Sequence, residues 1–99
     1  SHAVAVPSGT LGTWLALRAL GIGPGDEVIA STHGWHQVAQ AVELVGARVV
    51  FSDINYWSGC LDPVRAAGQV TAATRGSILS PFPSWAKVSR RAVSAAACL

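Results

Sequence analysis

Ser8, Gly9 and Thr10 ("SGT") stand where an apolar segment enters a run that reads as a helix, "LGTWLALRAL". Two small hydroxyl residues around a glycine suit two tasks. Ser8 is a good N-cap for the helix that follows. A helix N-terminus also has free N–H groups and a partial positive charge, so it can hold a phosphate. Gly9 would let such an anion approach the backbone, and the hydroxyls of Ser8 and Thr10 would add hydrogen bonds. Taken alone, the three residues favour the ordinary cap over the anion site.

Other residues with chemical potential are sparser. "HGWH" places His33 and His36 three residues apart at a strand-to-helix junction, with no carboxylate or Cys evident nearby, so no metal site is expected. Trp35 between them would sit at the C-terminal end of a parallel strand, where α/β folds bind ligands. Its flat ring could stack on a flat cofactor, or simply be the first core residue of the next helix. "GIGPG" (21–25) follows a helix and precedes a strand, the reverse of a dinucleotide fingerprint, and reads as a turn. No Ser/His/Asp order is interpretable. Cys60 has no obvious base beside it, so no nucleophile and no catalytic residue is assigned.

The elements that position these residues can be read from pattern and punctuation. Residues 3–6 ("AVAV") read as a short buried strand or strand end stopped by Pro7. A helix to about Leu20 is apolar nearly all round, which suggests burial on more than one side. "EVIAS" reads as a strand. A second helix is expected from about 35 to 45, with Trp35, Val38, Ala39, Val42 and Val45 at helical spacing. "ARVVFSDI" is a β-branched strand. Asp62 as N-cap with Pro63 behind it starts a short helix weakened by Gly68. "RGSILS" reads as a last strand. Strands alternating with helices through short loops predict a three-layer α/β/α architecture around a mostly parallel sheet.

Composition bounds what this arrangement can be. The 99 residues suffice for one small domain; 51% are hydrophobic and 12% charged. So few charges suggest that many residues face something beyond this stretch of chain, such as the rest of a domain or a partner. A net charge of +2 without a basic stripe speaks against nucleic acid. No stretch reads as a membrane span or a secretory signal. Cys60 and Cys98 form no disulfide framework, so a cytoplasmic location is expected. The chain has no Met, as expected of a processed, excised or incompletely recorded product. After Asp62 there is no acidic residue. Residues 80–99 are rich in Pro, Ser, Ala and Arg, read as an atypical tail with a helix from about Lys87, and suit a shifted reading frame, a truncation or a divergent terminus.

The order of the motifs resembles the start of the DegT/DnrJ/StrS family of aminotransferases, pyridoxal-phosphate (PLP) enzymes of fold type I. The resemblance covers about residues 3–79. It rests on "SGT" opening a helix, "ALGIGPGDEVI", an aromatic at the start of the next helix, "AVELVGARVVFSDI", and "LDP" followed by "TAATR". It implies that 1–79 form part of a PLP-binding large domain. It implies that Ser8, Gly9 and Thr10 hold the PLP phosphate, with a backbone N–H from Leu11, and that Trp35 stacks on the pyridine ring. Asp53 matches a recurrent family acid and is read as structural. The implied reaction transfers an amino group from a donor such as glutamate to a keto-sugar, typically nucleotide-linked, in a homodimer. The same scaffold serves sugar dehydratases, and a non-catalytic module is a further alternative. The family's Schiff-base Lys and pyridinium acid lie further along its pattern. The single Lys here, Lys87, falls in the atypical tail and is not given that role.

Overall fold

A computed structural model describes residues 3–79 and 87–89. The chain alternates helix and strand: α1 (Gly9–Ala19), β1 (Glu27–Ser31), α2 (His36–Leu44), β2 (Arg48–Ser52), α3 (Pro63–Ala67), β3 (Thr74–Leu79) and β4 (Lys87–Ser89). The strands form one sheet in the order β2–β1–β3–β4. β1 pairs in parallel with β2 and with β3, and β4 adds an antiparallel edge to β3. The expected α/β class and mostly parallel sheet are therefore present.

Local chemistry sets the element ends. Ser8 caps α1 through its Oγ, which accepts the Leu11 N–H at 3.3 Å. Asp62 caps α3 by accepting from the N–H groups of Val64 (2.9 Å) and Arg65 (3.3 Å), with Pro63 preset for the first turn. α2 closes at Val45 and turns on Gly46, whose φ of 81° only glycine adopts readily. A Cβ there would also meet Pro24 Cγ at 3.0 Å, so the turns ending α2 and preceding β1 are packed together.

The sheet is covered on both faces, giving three layers. On one face Leu17 of α1 and Ala41 and Val42 of α2 close over Val28 and Ile78, with Ile22 and Val45 sealing the end. On the other, Ala66 of α3 and Leu61 pack on Ile29, beside Val50 and Leu79. β1, central in the sheet and buried along its whole length, explains its apolar run "VIA". Among the described residues no helix is long and apolar enough to cross a membrane.

Four expectations are corrected. Residues 3–6 form no strand and are exposed, because a strand exists only against a neighbour and none of the four strands pairs with them. α1 buries only Thr13 and Leu17, while Leu11 and Leu15 remain exposed. Its apolar circumference meets the sheet and α2 on one side and no further layer among the described residues. Trp35 is the residue before α2, not its first core residue, and is 71% exposed. The helix expected from Lys87 is replaced at 87–89 by β4, held by pairing with Ser77, Ile78 and Leu79. The remainder of that expected helix lies outside the described residues.

Candidate functional site

The direction of α1 follows from its surroundings. Its C-terminal turn, closed by the Ile22 N–H on the Leu17 carbonyl at 3.1 Å, abuts the C-terminal end of α2, where Arg48 N–H donates to the Asp26 carbonyl at 2.9 Å. That is the edge where β1 and β2 begin. Eleven helical residues then carry the Ser8–Thr10 turn toward the opposite edge, where the parallel strands end. Trp35 reaches the same edge by another route, four residues beyond Ser31 at the end of β1.

The helix N-terminus offers open donors. The N–H groups of Gly9 and Thr10 stand in the first turn of α1, where no intrahelical acceptor is available. A Cβ built on Gly9 would meet nothing within 4 Å, so the backbone there is approachable. The Leu11 N–H, by contrast, is already taken by Ser8 Oγ. Since Ser8 Oγ accepts in that bond, its own hydroxyl proton remains available to a ligand. No acidic residue lies in the first turn to compete with an anion.

Trp35 borders a hollow of about 240 Å³ lined by Ser31, Thr32, Gly34, Val38, Phe51 and their neighbours. Ser31 Oγ braces its approach by accepting the His33 N–H at 3.1 Å and donating to the His33 carbonyl at 3.3 Å. The Thr32 N–H donates to the Ser52 carbonyl at 2.9 Å, tying the loop to the end of β2. Phe51 was legible only as a strand residue. The available signal was its place one residue before the end of β2, two residues from Val49 and so on the same strand face. The Ser8–Leu11 turn does not line this hollow, so the expected site is divided between a donor-rich turn and an aromatic-lined recess on one sheet edge.

Other flagged residues serve the scaffold. Asp53 accepts from Arg65 Nη1 at 2.7 Å and from the Ile54 N–H at 2.9 Å, fastening the end of β2 to α3. Cys60 sits in a turn, its Sγ 3.5 Å from the Ser58 carbonyl. Among the described residues no group of three or more His, Cys, Asp or Glu side chains converges. The most connected polar cluster lies on the opposite edge. Glu27 Oε2 accepts the Thr71 hydroxyl at 2.6 Å, and Arg48 pairs with Oε1. The Thr71 bond first, then Arg48, hold the Glu27 carboxyl below the usual glutamate range against the opposing effect of burial.

Comparison with known proteins fits this geometry. The model of the DegT/DnrJ/EryC1/StrS aminotransferase family matches residues 1–80. The spore coat polysaccharide biosynthesis protein SpsC of Bacillus subtilis (strain 168) is 44% identical over 77 residues, covering 78% of this chain and 20% of that protein. The L-glutamine:2-deoxy-scyllo-inosose aminotransferase of Streptomyces kanamyceticus is 40% identical over 79 residues, covering 80% of this chain and 18% of that protein. The crystal structure of DesV from S. venezuelae superposes with a TM-score of 0.78 at 40% identity, over 80% of this chain and 21% of that one. Other matching structures hold PMP or are PLP forms. The chain thus spans about a fifth of the length of the relatives it matches.

Proposed function

Because the chain belongs to the DegT/DnrJ/EryC1/StrS aminotransferase family, we propose that it supplies the phosphate- and ring-holding corner of a PLP-dependent sugar aminotransferase. The observation that carries this reading is the open first turn of α1 on the same sheet edge as the exposed Trp35. The residues present fit the cofactor at both ends. A phosphate dianion needs unpaired N–H donors, a positive dipole end and no side-chain obstruction, and Gly9 and Thr10 provide these. A planar ring needs an exposed aromatic face beside an apolar recess, and Trp35, which lines one hollow with Val38 and Phe51, provides that.

Bound PLP supplies the electron sink for moving an amino group from a donor to a ketone. The residues of this chain bind and orient. Gly9 and Thr10 N–H groups, with the Ser8 and Thr10 hydroxyls, fix the phosphate. The Leu11 N–H keeps Ser8 in its capping rotamer, a positioning task in place of the direct contact expected from the sequence. Trp35 sets the plane of the ring, and Phe51 and Val38 keep water from the recess. The acid and Lys of the family pattern are not placed among the described residues. The proposed substrates are a keto-sugar or keto-cyclitol, nucleotide-linked in many cases, and a glutamate or glutamine donor. A homodimer and a cytoplasmic setting complete the proposal. Relatives such as the Streptomyces kanamyceticus protein are named as aminotransferases, which favours this reading over the dehydratase alternative.

Equilibrium titration of the chain with PLP tests the reading. Binding is expected for the unaltered chain and is expected to be lost in a Thr10→Ala/Trp35→Ala variant. Equal binding by both proteins would contradict it. Borohydride treatment followed by peptide mapping is expected to find no cofactor fixed to Lys87, and the isolated chain is expected to show no transaminase turnover.

A further inference from the structure

The edge of the sheet remote from the candidate site raises a separate problem, that of strand register. β3 reads "TRGSIL", and Gly76, Ser77 and Ile78 are buried in succession. With both faces covered and a glycine in the run, apolar alternation penalises a one-residue slip only weakly. Yet the pairing is defined and irregular. Glu27 faces Thr74 while Val28 faces Gly76, so Arg75 is left out of the ladder.

The polar contacts around this irregularity all belong to one phase. Glu27 donates its N–H to the Ala73 carbonyl at 2.8 Å, and its carboxylate takes the Thr71 hydroxyl. The Thr71 N–H is held by Thr74 Oγ1 at 2.8 Å, which closes the turn entering β3. Asp26 Oδ1 takes Arg75 Nε at 3.3 Å, engaging the residue that the ladder excludes. Asp26 Oδ2 takes the Gly23 N–H at 3.0 Å, and Arg48 of β2 reaches Glu27 from the other side. Glu43 of α2 borders the same groove, so the charged groups facing the pair are Arg48, Arg75 and Glu43. Moving β3 by one residue would break the Thr71, Ala73 and Arg75 contacts together.

We propose that Asp26 and Glu27 are a register lock that phases β3 against β1 and so sets where Leu79 reaches the opposite edge. Both are positioning residues. The lock links two motifs that are 44 positions apart, the "GDE" turn and "TAATR", and gives each a reason for its acidic, hydroxyl and basic members. It follows from the fold and does not depend on the cofactor reading.

Amide hydrogen exchange by NMR on the 99-residue chain tests it, with Glu27→Gln/Arg75→Gln as the main variant and Thr71→Val as the milder one. The expected result is selective. Protection at Gly76, Ser77 and Ile78 falls about tenfold or more, as loss of charge-assisted bonds predicts. Ala41 and Val42 in α2 keep theirs, and Thr71→Val gives the same pattern more weakly. The cross-strand contact between Ile29 and Ser77 is expected to weaken with it. Unchanged protection in β3 would overturn the proposal. So would an equal fall in β3 and α2, which would mean a general stability role, or an unaltered chain with no protection in β3.

Discussion

The two edges of the parallel sheet are built on opposite principles. At the edge where the strands begin, carboxylates, guanidinium groups and hydroxyls satisfy one another: Asp26, Glu27, Arg48, Thr71 and Arg75 join three segments. At the edge where the strands end, donors and an aromatic face are left open: the Gly9 and Thr10 N–H groups and Trp35. A satisfied polar network fixes local geometry, whereas open donors remain available to solvent or a ligand. The proposed site is left open by its own side chains, while the polar network that ties the strands together lies at the far edge.

The largest effect should come from damaging what both edges share. Leu17 is fully buried between α1 and the sheet, and Leu17→Ala is expected to cost about 3 kcal/mol, removing order at both edges in chemical denaturation. A loss confined to one edge would break the comparison, since it would mean that the edges do not share a core.

Acid should weaken the closed edge. The Glu27 carboxyl lies below its ordinary range, chiefly through Thr71 and then Arg48, so it binds a proton less readily folded than unfolded. Its stabilisation is complete above the ordinary value of 4.5 and is lost as pH falls through the lower folded value. Acid destabilisation followed by circular dichroism should therefore be smaller in a Glu27→Gln variant, which has no carboxyl to protonate there, than in the unaltered chain. An unchanged profile in Glu27→Gln would remove the closed edge as the source.

Smaller effects sharpen the contrast. Asp62→Ala removes the cap of α3 and should cost about 1 kcal/mol, read as a lower denaturation midpoint. Trp35→Ala should change stability by no more than about 0.5 kcal/mol, because the side chain is exposed, while reducing PLP affinity. A Trp35→Ala chain that melts much earlier would make Trp35 a structural residue and blur the distinction.

Much of the fold was legible because it rests on local chemistry. The Asp62–Pro63 start, the Gly46 stop and the β-branched run 48–52 place α3, α2 and β2 close to expectation. What was not legible rests on partners distant in sequence. Residues 3–6 carry strand-like residues without a paired neighbour, and 87–89 became a strand through β3 rather than through any propensity of their own. Helical spacing counted Trp35 among core residues because periodicity marks a face but not what lies against it. At the candidate site the residue types at 8–10 and 35 were visible, since caps and aromatics at strand ends leave signatures. Phe51 and the engagement of the Leu11 N–H were not, because each depends on how neighbouring segments meet.

The central claim is that the open edge holds the cofactor and the closed edge only holds the fold. The most direct measurement is an amide and indole NMR map of the chain titrated with PLP. Shifts are predicted at the Gly9 and Thr10 amides and at the Trp35 indole N–H, with Asp26, Glu27 and Arg75 unmoved. Shifts centred on Asp26, Glu27 and Arg75, or no shift at Gly9, Thr10 and Trp35 at saturating PLP, would contradict it.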